Sequence, residues 1–323
     1  MLCCGDVINF YDQWPDPIVI MSDGPYGVSG YDGDLSSANG LAEWYEPHIK
    51  IWSQRASPLT TLWFWNTELG WAETHPVLKE NGWVYRCCNI WDKGMAHVAG
   101  NVNTQTLRKF PIVSEVCVQY VREPKFRIGE QDGVSAQDWL RSEWKRTGLP
   151  WNKANEACGV KNAATRKYLT ADHLWYFPPA EVFEKLTTYA NQHGDPAGKP
   201  YFAIEGKELK GNQWEQLRGK FYCPVGVTNV WSESAVHGNA RKQSKGKTAH
   251  PNQKPYNLIK QIVLASSDKE DVVWEPFGGL MPTYLVGINQ NRQVYSAEID
   301  KDTYDYAKYT IDNVVNLKEI FEC

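Results

Sequence analysis

The sequence lacks the short patterns that would indicate a zinc site, a phosphate-binding loop or a membrane span. Its eight cysteines include two adjacent pairs but no CxxC spacing, and no Cys/His cluster has the spacing of zinc ligands. It contains neither GxGxxG nor GxxxxGKS/T, the loops that hold dinucleotides and triphosphates. No apolar run reaches the ~18 residues of a membrane-spanning helix. We therefore expect no metal site, no membrane association and no cofactor with a pyrophosphate or triphosphate.

The composition indicates a compartment and limits the partners. The first ten residues, MLCCGDVINF, lack the basic start and the apolar run of a secretory signal. Adjacent cysteines are poor disulfide partners for each other, so we expect a reduced, cytoplasmic protein. A net charge of −4 argues against a uniformly basic nucleic-acid coat but permits a local basic face. The 15 tryptophans and 17 tyrosines are expected mostly in the core, although flat rings also stack on bases.

Alternating strand-like and helix-like segments predict an α/β fold at both ends of the chain. "PIVIMS" and "LTTLWFWN" are compact apolar runs typical of strands, whereas "AEWYEPHIKIWSQRA" and "ELGWAETHPVLKENG" have helical spacing. A second unit of this kind contains the helix "YNLIKQIVLASS" and the strand "DVVWEPFGG". Strands that alternate with helices predict a largely parallel sheet.

The middle of the chain differs in composition and is predicted to be mainly helical. Ser135 and Asp138 form the capping pattern of a helix start. "WNKANEACG" and "NAATRKYLT" are typical of a helix-turn-helix, although a solvated helical hairpin would have the same pattern. Two groups of side chains are candidates for nucleic-acid contact: Asn162, Thr165, Arg166 and Lys167 in the second helix, and Arg241, Lys242, Lys245 and Lys247 in a basic loop.

The later α/β unit has the pattern of a nucleoside site. One predicted strand ends at Glu275, "PFGGL" turns the chain into a helix, and the next strand ends at Glu298, 23 residues later. A glycine turn lets a cofactor approach the backbone, and a carboxylate at the second strand end accepts hydrogen bonds from ribose hydroxyls. A cofactor with a ribose but no phosphate, such as S-adenosylmethionine, fits this pattern. The alternative is a buried strand–helix turn with two surface glutamates.

The stretch "IVIMSDGPYG" raises a similar choice near the start of the chain. An apolar strand ends at Asp23, and Gly24, Pro25 and Tyr26 follow as a turn. Ligands of open α/β sheets bind outside the carboxyl ends of the strands, so this turn is a candidate for a cleft. By itself the stretch favours the simpler interpretation, an ordinary turn in which Asp23 hydrogen-bonds the backbone.

Together these segments resemble amino-group DNA methyltransferases. "SDGPYG" is similar to their DPPY-type catalytic motif, "HPNQKP" and "VVWEPFGG" to their cofactor motifs, and "CGDVINF" to the segment that precedes DPPY. The catalytic motif comes first, which is the permuted order of the β group. The resemblance implies a Rossmann-like, circularly permuted methyltransferase sheet dependent on S-adenosylmethionine. Residues 1–122 would be its catalytic part, 249–323 its cofactor-binding part, and 123–248 an inserted, mainly helical target-recognition region.

The resemblance also implies roles for individual residues. Two acceptors, the Asp23 carboxylate and the Gly24 carbonyl, would hold the hydrogens of an exocyclic amine on a flipped base, and Tyr26 would stack on that base. Pro25 completes this motif. Asp6 would contact the adenine of the cofactor and Glu298 its ribose. The other implied cofactor residues are His250, Pro251, Lys254 and Pro255 near the methionine end, and Glu275, Pro276, Phe277, Gly278 and Gly279 along the turn.

The predicted activity is methylation of an exocyclic amine in double-stranded DNA. An aspartate at the first motif position favours adenine N6, and cytosine N4 is the alternative. The chain departs from the family at Gly24, where a proline is usual, at Glu275, where an aspartate is usual, and at Leu280-Met281-Pro282, which replaces small residues. These departures keep a catalytically inactive DNA-binding relative as an alternative. A methyltransferase for RNA or a small molecule is a second alternative, and the long inserted segment with basic helices argues against a small substrate. The sequence leaves open the recognition site, the oligomeric state and a cognate restriction endonuclease as a second partner.

Overall fold

The computed structural model describes residues 1–28, 34–97, 106, 108–236, 243–244, 247–248 and 253–321. For residues 96, 243–244, 247–248 and 314–321, the backbone alone is described. The strands and α-helices of the described residues are, in chain order, β1 (Leu2–Cys4), β2 (Val19–Ser22), α1 (Leu41–Arg55), β3 (Thr61–Asn66), α2 (Glu68–Glu80), β4 (Val84–Asp92), β5 (Ser114–Val121), β6 (Phe126–Ile128), β7 (Gln131–Val134), α3 (Ala136–Arg146), α4 (Lys153–Cys158), α5 (Ala180–His193), β8 (Ala203–Ile204), β9 (Lys207–Glu208), α6 (Gly211–Glu215), β10 (Val230–Ser232), β11 (Gln243–Ser244), β12 (Lys247–Thr248), α7 (Tyr256–Ser266), β13 (Val272–Glu275), α8 (Pro282–Asn289), β14 (Gln293–Glu298) and α9 (Lys301–Phe321).

One sheet of eight strands carries the fold, in the order β1-β14-β13-β2-β3-β5-β4-β10. Every pairing in it is parallel except the two made by β5, which is antiparallel to β3 and β4. Adjacent pairing of β2 with β13 places Val19 opposite Val273 and joins the two ends of the chain in one sheet. This confirms the predicted α/β class and the largely parallel sheet.

Helices cover both faces of the sheet because its central strands are apolar on both sides. In β3, Leu62 and Phe64 pack on one side with α1, and Trp63 and Trp65 pack on the other side with α7. All six residues of β3 are buried. A continuous apolar run is what a strand between two helical layers requires. Within the described residues, no helix combines the length and the hydropathy needed to cross a membrane.

The chain divides into two compact units: unit 1 consists of residues 1–122 and 219–323, and unit 2 of residues 123–218. The sequence placed the second boundary at residue 248. The structure moves this boundary to residue 218, since β10 pairs with β4 and thereby belongs to the sheet of unit 1. Most of the basic loop lies outside the described residues, so its grouping with the helical middle segment stays a prediction.

Unit 2 has its own core, built around Trp214. The indole stacks on Phe177 and Phe183 with ring centroids 4.2 and 4.4 Å apart, and its Nε1 donates to the Pro178 carbonyl at 2.8 Å. The predicted start of α3 is confirmed, because the Ser135 hydroxyl accepts from the Asp138 amide at 3.1 Å.

The second helix of the predicted helix-turn-helix is not present as an α-helix. After α4 the chain turns at Gly159, which has a left-handed conformation, and forms only a π-helical turn at Ala164–Tyr168. Thr165 is bound within the unit, since its amide donates to Asn155 Oδ1 at 3.2 Å. A five-residue turn is too short to lie along a groove as a recognition helix, so this prediction was wrong.

We expect Trp214→Ala to destabilise unit 2 by about 3–5 kcal/mol, because it removes a fully buried indole and leaves a cavity. Hydrogen exchange in α3 and α5 should accelerate while β2 and β13 keep their protection. Trp151→Ala is the matched control, since this indole is 40% exposed. Equal acceleration in both variants would contradict the assignment of Trp214 to the core.

Candidate active site

The carboxyl ends of the parallel strands of unit 1 meet at one edge of the sheet. Asp23 follows the last residue of β2, Asn66 ends β3, Glu275 ends β13, and Glu298 ends β14. Glu115 lies at the same edge for a different reason: β5 runs in the opposite direction, so its beginning pairs beside the end of β4. Asp92, the last residue of β4, lies there too. This edge of the sheet, called here the carboxyl edge, therefore has five carboxylates.

A network of ion pairs surrounds Asp23. The Lys254 ammonium contacts Asp23 Oδ1 at 2.8 Å and Glu115 Oε2 at 3.3 Å. The Tyr26 hydroxyl donates to the same Asp23 oxygen at 2.8 Å and contacts Glu115 Oε2 at 3.2 Å. Lys93 pairs with the other oxygen of Glu115. None of the hydrogen bonds among the described residues goes to Asp23 Oδ2.

Burial and charge act in opposite directions on this network. Burial favours the neutral form of Lys254, but the carboxylates of Asp23 and Glu115 outweigh it and raise the pKa of the ammonium. Burial likewise opposes ionisation of Glu115, yet Lys254 and Lys93 hold its pKa below the usual value. Burial and the two carboxylates raise the pKa of the Tyr26 phenol well above its usual range. Lys254 therefore stays cationic, Glu115 anionic and Tyr26 neutral near pH 7.

The turn after Asp23 is held by hydrogen bonds to its backbone. The Pro25 carbonyl accepts from Asn66 Nδ2 at 3.0 Å and from the Tyr45 hydroxyl at 3.1 Å. The Asp34 carboxylate accepts from the amides of Tyr26 and Gly27 at 2.9 and 2.7 Å. These contacts stabilise the backbone around Asp23, although the usual first proline of the motif is absent.

Gly24 has no room for a side chain. A Cβ there would lie 2.6 Å from the Tyr45 hydroxyl oxygen and 2.7 Å from Cδ2 of Phe277. Both atoms belong to rings packed at the carboxyl edge, so neither can withdraw freely. The rings of Tyr45 and Phe277 therefore fill the space that a side chain at position 24 would need.

The glycine turn after β13 is closely packed and meets Glu298. The Gly279 amide donates to Glu298 Oε2 at 2.7 Å, and the Asp300 amide donates to Oε1 at 2.8 Å. A Cβ on Gly278 would lie 2.8 Å from the Ser296 hydroxyl oxygen, and Gly279 has a positive φ of +52°. Burial raises the pKa of Glu298 above its usual value. The predicted pairing of a glycine turn with a carboxylate at the next strand end is present.

Glu275 serves the fold directly. Its Oε1 accepts from the Thr283 amide at 2.7 Å, and its Oε2 accepts from the Tyr284 amide at 3.1 Å and the Ser296 hydroxyl at 2.7 Å. The carboxylate thereby caps the first turn of α8, whose N-cap residue, Met281, has no oxygen to offer. Glu275 is 3% exposed, and all of the contacts named here are made within the fold, so its predicted contact with a cofactor stays a prediction.

Met281 is directed into the protein. It is completely buried and packs with Ala307 and Ile311 of α9, while its backbone has a left-handed conformation with φ +55°. Leu280 is 5% exposed. The bulky residues that replace the small ones of the family therefore extend the core beneath α8.

The rings of Phe277, Trp44 and His48 form a cluster beside the glycine turn. Phe277 is partly buried, and its ring centroid is 5.3 Å from that of Trp44 and 5.1 Å from that of His48. Burial lowers the pKa of His48 to about 4, so this ring is neutral at pH 7.

Asp6 is exposed and its carboxylate accepts from the Ile8 amide, which is the role of an ordinary turn residue. Its neighbour Gly5 donates to the Glu298 carbonyl at 2.8 Å, which brings Asp6 to this part of the edge.

The remaining predicted site residues differ in burial, and some of them lie outside the described residues. Pro255 and Pro276 are buried. In unit 2, Arg166 and Lys167 are exposed on the π-helical turn, and Asn162 is exposed just before it. Lys254 lies on Asp23 and Glu115, a contact that was not predicted. Tyr26 is 7% exposed, and the Lys254 ammonium lies 5.0 Å from its ring centroid, so the predicted stacking of this ring on a base stays a prediction. Outside the residues with described side chains lie His250, Pro251, Arg241, Lys242, Lys245 and Lys247.

Sequence reasoning missed several residues that shape this site. Asn66 ends an apolar run as Asp23 does, and that shared pattern was a usable signal. Glu115 and Lys93 flank strands whose relative direction the sequence did not reveal. Asp34 and Tyr45 had no distinguishing pattern. Within the described residues, no group of His, Cys, Asp and Glu side chains is arranged to hold a metal ion.

A doubly wound sheet with a glycine turn and a carboxylate at its carboxyl edge defines an α/β protein with a nucleoside-type binding site. The family profile described as DNA methylase, of the N6/N4 class, matches residues 18–309. The chain belongs to this DNA methylase family. It is 26% identical over 308 residues to the type II methyltransferase M.BglII of Bacillus subtilis, a match that covers 94% of this chain and 66% of that protein.

A second relative and a solved structure extend the comparison. The chain is 35% identical over 157 residues to the type II methyltransferase M.HpaI of Haemophilus parainfluenzae, covering 46% of this chain and 47% of that one. It thus spans less than two thirds of the length of both curated relatives. The PvuII DNA methyltransferase, specific for cytosine N4, has the same fold with a TM-score of 0.51 and 12% identity, covering 98% of this chain and 90% of that one.

We expect Glu275→Gln to flatten the pH dependence of stability. Burial raises the pKa of Glu275 to about 7, so the folded chain retains a proton that the unfolded chain releases near pH 4.5. This residue therefore lowers the free energy of unfolding as the pH rises from 4.5 to 7. Glutamine cannot ionise. Between pH 4.5 and 7, the free energy of unfolding measured by urea titration should therefore fall by up to about 3 kcal/mol less in the variant than in the wild type. Parallel pH curves for the two proteins would contradict this assignment.

We expect Gly24→Ala to destabilise the protein by about 1–3 kcal/mol through overpacking against Tyr45. The same substitution should cost less in a Tyr45→Phe background, because the nearest obstructing atom is then absent. Urea denaturation of the four proteins measures both losses. Equal losses in the two backgrounds would show that the Tyr45 hydroxyl is not the obstacle.

Proposed function

We propose that this protein transfers a methyl group from S-adenosylmethionine to the exocyclic amine of a base in double-stranded DNA. The observation that carries the proposal is the state of Asp23 at the carboxyl edge. One of its oxygens is bound by Lys254 and Tyr26, and the other accepts no hydrogen bond from the described residues. With its side chain 23% exposed, this carboxylate is accessible to a substrate.

The residues of the glycine turn fit the cofactor that the family implies. Each oxygen of Glu298 accepts one backbone hydrogen bond, and a carboxylate oxygen has capacity for a second, so a ribose with two hydroxyls has acceptors. Gly279 is partly exposed and has a positive φ, so its backbone is the part of the turn that a cofactor can approach, whereas Gly278 is buried against Ser296. Ile299, which follows Glu298, is 70% exposed and offers an apolar surface to a base. When bound, S-adenosylmethionine supplies an electrophilic methyl group.

The turn around Asp23 is suited to activate an amine. The lone pair of an exocyclic base amine is delocalised into the ring, which makes the nitrogen a poor nucleophile. In our proposal Asp23 Oδ2 accepts one amine hydrogen and the Gly24 carbonyl accepts the other, which favours a pyramidal nitrogen. The anchored Pro25 carbonyl keeps this backbone in place. The nitrogen gains the methyl group and loses one hydrogen as a proton to solvent, with Asp23 as its first acceptor.

The base that best fits the proposal is adenine. The first position of the motif is an aspartate, and in the family that this sequence resembles serine is commoner at that position in cytosine enzymes. The chain is also 43% identical over 53 residues to the DNA adenine methyltransferase YhdJ of Escherichia coli. We assign target recognition to unit 2 and the basic loop, with the exposed Asn162, Arg166 and Lys167 as contacts to phosphates or bases. The cytoplasm, which holds bacterial DNA, is the proposed compartment.

The test measures transfer of labelled methyl from S-adenosylmethionine to mixed genomic DNA, with mass spectrometry of the product nucleosides. We expect N6-methyladenine, and a loss of at least about 100-fold in Asp23→Asn because the acceptor for the amine is weakened. Asp271→Asn is the matched control, since Asp271 forms an ion pair with Lys220 at the amino end of β13.

The product decides among the alternatives. N4-methylcytosine would keep the reaction and change the base. No transfer to any DNA, together with intact DNA binding, would replace the proposal with an inactive DNA-binding relative. Transfer to RNA alone would overturn the proposed substrate.

A further inference from the structure

Glu115 is a buried carboxylate to which the proposed reaction assigns no role. Its side chain is 6% exposed, and it lies between two lysines: Lys254, 1% exposed, and Lys93, 11% exposed. A buried carboxylate is costly unless it is paired and hydrogen-bonded, and these partners satisfy it. A residue that served packing alone would be apolar at this position in β5, whose other residues after Ser114 are mostly apolar.

The charges around Asp23 balance as a set. Asp23 and Glu115 contribute two negative charges, and Lys254 and Lys93 contribute two positive charges. Lys254 is shared between both carboxylates, and Glu115 is shared between both lysines. The Tyr26 hydroxyl also bridges Asp23 and Glu115. The four ionised groups are therefore one connected unit with no net charge.

The position of Lys254 presents a conflict that Glu115 resolves. An ammonium 2.8 Å from Asp23 holds that side chain in one orientation, but by itself it also cancels the negative potential that Asp23 offers to an amine. This potential matters most in methyl transfer, because positive charge develops on the nitrogen as the bond to carbon forms. The second carboxylate in contact with this ammonium, that of Glu115, offsets its charge and leaves the potential of Asp23 largely intact.

We propose that Glu115 is a positioning residue of the active site, which balances Lys254 so that this lysine orients Asp23 without neutralising it. The inference rests on the methyl transfer proposed above and adds a residue outside the sequence motifs. Glu115 acts through Lys254 and needs no contact with the substrate.

The first test compares Glu115→Gln with the wild type under single-turnover conditions with saturating cofactor and DNA. We expect the rate of methyl transfer to fall about 10- to 100-fold, a loss typical of a misplaced or mispolarised catalytic group. The dissociation constants for S-adenosylmethionine and DNA should change less than about twofold, since Glu115 contacts neither. Asp271→Asn again serves as the control, because it removes the charge of another partly buried ion pair at the opposite end of β13.

A double-mutant cycle tests whether Glu115 acts through Lys254. Glu115→Gln should cost less than about threefold in a Lys254→Gln background, where no ammonium remains to be balanced. Multiplicative losses would contradict the inference, because they would show that Glu115 acts independently of Lys254.

A third measurement needs neither cofactor nor DNA and follows the protonation of Lys254 directly. With 13Cε-labelled lysine, the titration of Lys254 is identified by its absence in Lys254→Gln. Glu115→Gln should lower the pKa of Lys254, because one of the two carboxylates that oppose the effect of its burial is gone. An unchanged titration would overturn the charge balance. If Glu115→Gln fails to fold, Lys93→Gln, which removes the other partner of Glu115, is expected to change the same titration in the opposite direction.

The outcomes separate the two proposals. A wild-type protein that transfers no methyl group overturns the proposed function, and the role of Glu115 falls with it. An active wild type beside an equally active Glu115→Gln overturns the role of Glu115 alone.

Discussion

The parallel pairing of β2 with β13 is the constraint on which the site depends. The Ile18 amide donates to the Val272 carbonyl at 2.9 Å, and the register places Val19 opposite Val273 and Ile20 opposite Trp274. These residues are about 250 positions apart in the chain. Because paired parallel strands point the same way, the turn that begins at Asp23 and the glycine turn after Glu275 emerge side by side. The two halves of the candidate site are therefore assembled by backbone hydrogen bonds in the centre of the sheet.

Electrostatics add a second requirement at the carboxyl edge. A carboxylate that accepts an amine hydrogen must be held in one orientation, and Lys254 and Tyr26 provide this through a single oxygen of Asp23. A lysine that is 1% exposed needs compensation, and Glu115 provides it from β5. The reversed direction of β5 is what brings the beginning of this strand, and Glu115 with it, to the edge where the other strands end.

The departures from the family pattern are compensated within the fold. Tyr45 and Phe277 occupy the space that a residue larger than Gly24 would need. Glu275 caps α8 in place of its N-cap residue Met281, whose side chain packs against α9. These adjustments leave the glycine turn and the Asp23 carboxylate in place. Because the fold accommodates Gly24 and Met281, these two residues are weaker evidence for a catalytically inactive relative than the sequence alone suggested.

The local pattern of residues determined the central strands of the sheet and three of the carboxylates at the carboxyl edge. Apolar runs that end at Asp23, Glu275 and Glu298 predicted three strands and three carboxylates, because strand ends and glycine turns leave signals within a few neighbouring residues. Tertiary structure alone decided the direction of β5, the placement of Lys254 on Asp23 and Glu115, and the assignment of β10 to the sheet of unit 1. Each of these depends on contacts between residues far apart in the chain, and no local pattern encodes which distant charges will share a buried site. In unit 2 a local pattern was misleading. The sequence predicted a second helix there, but Ala164–Tyr168 form only a short π-helical turn.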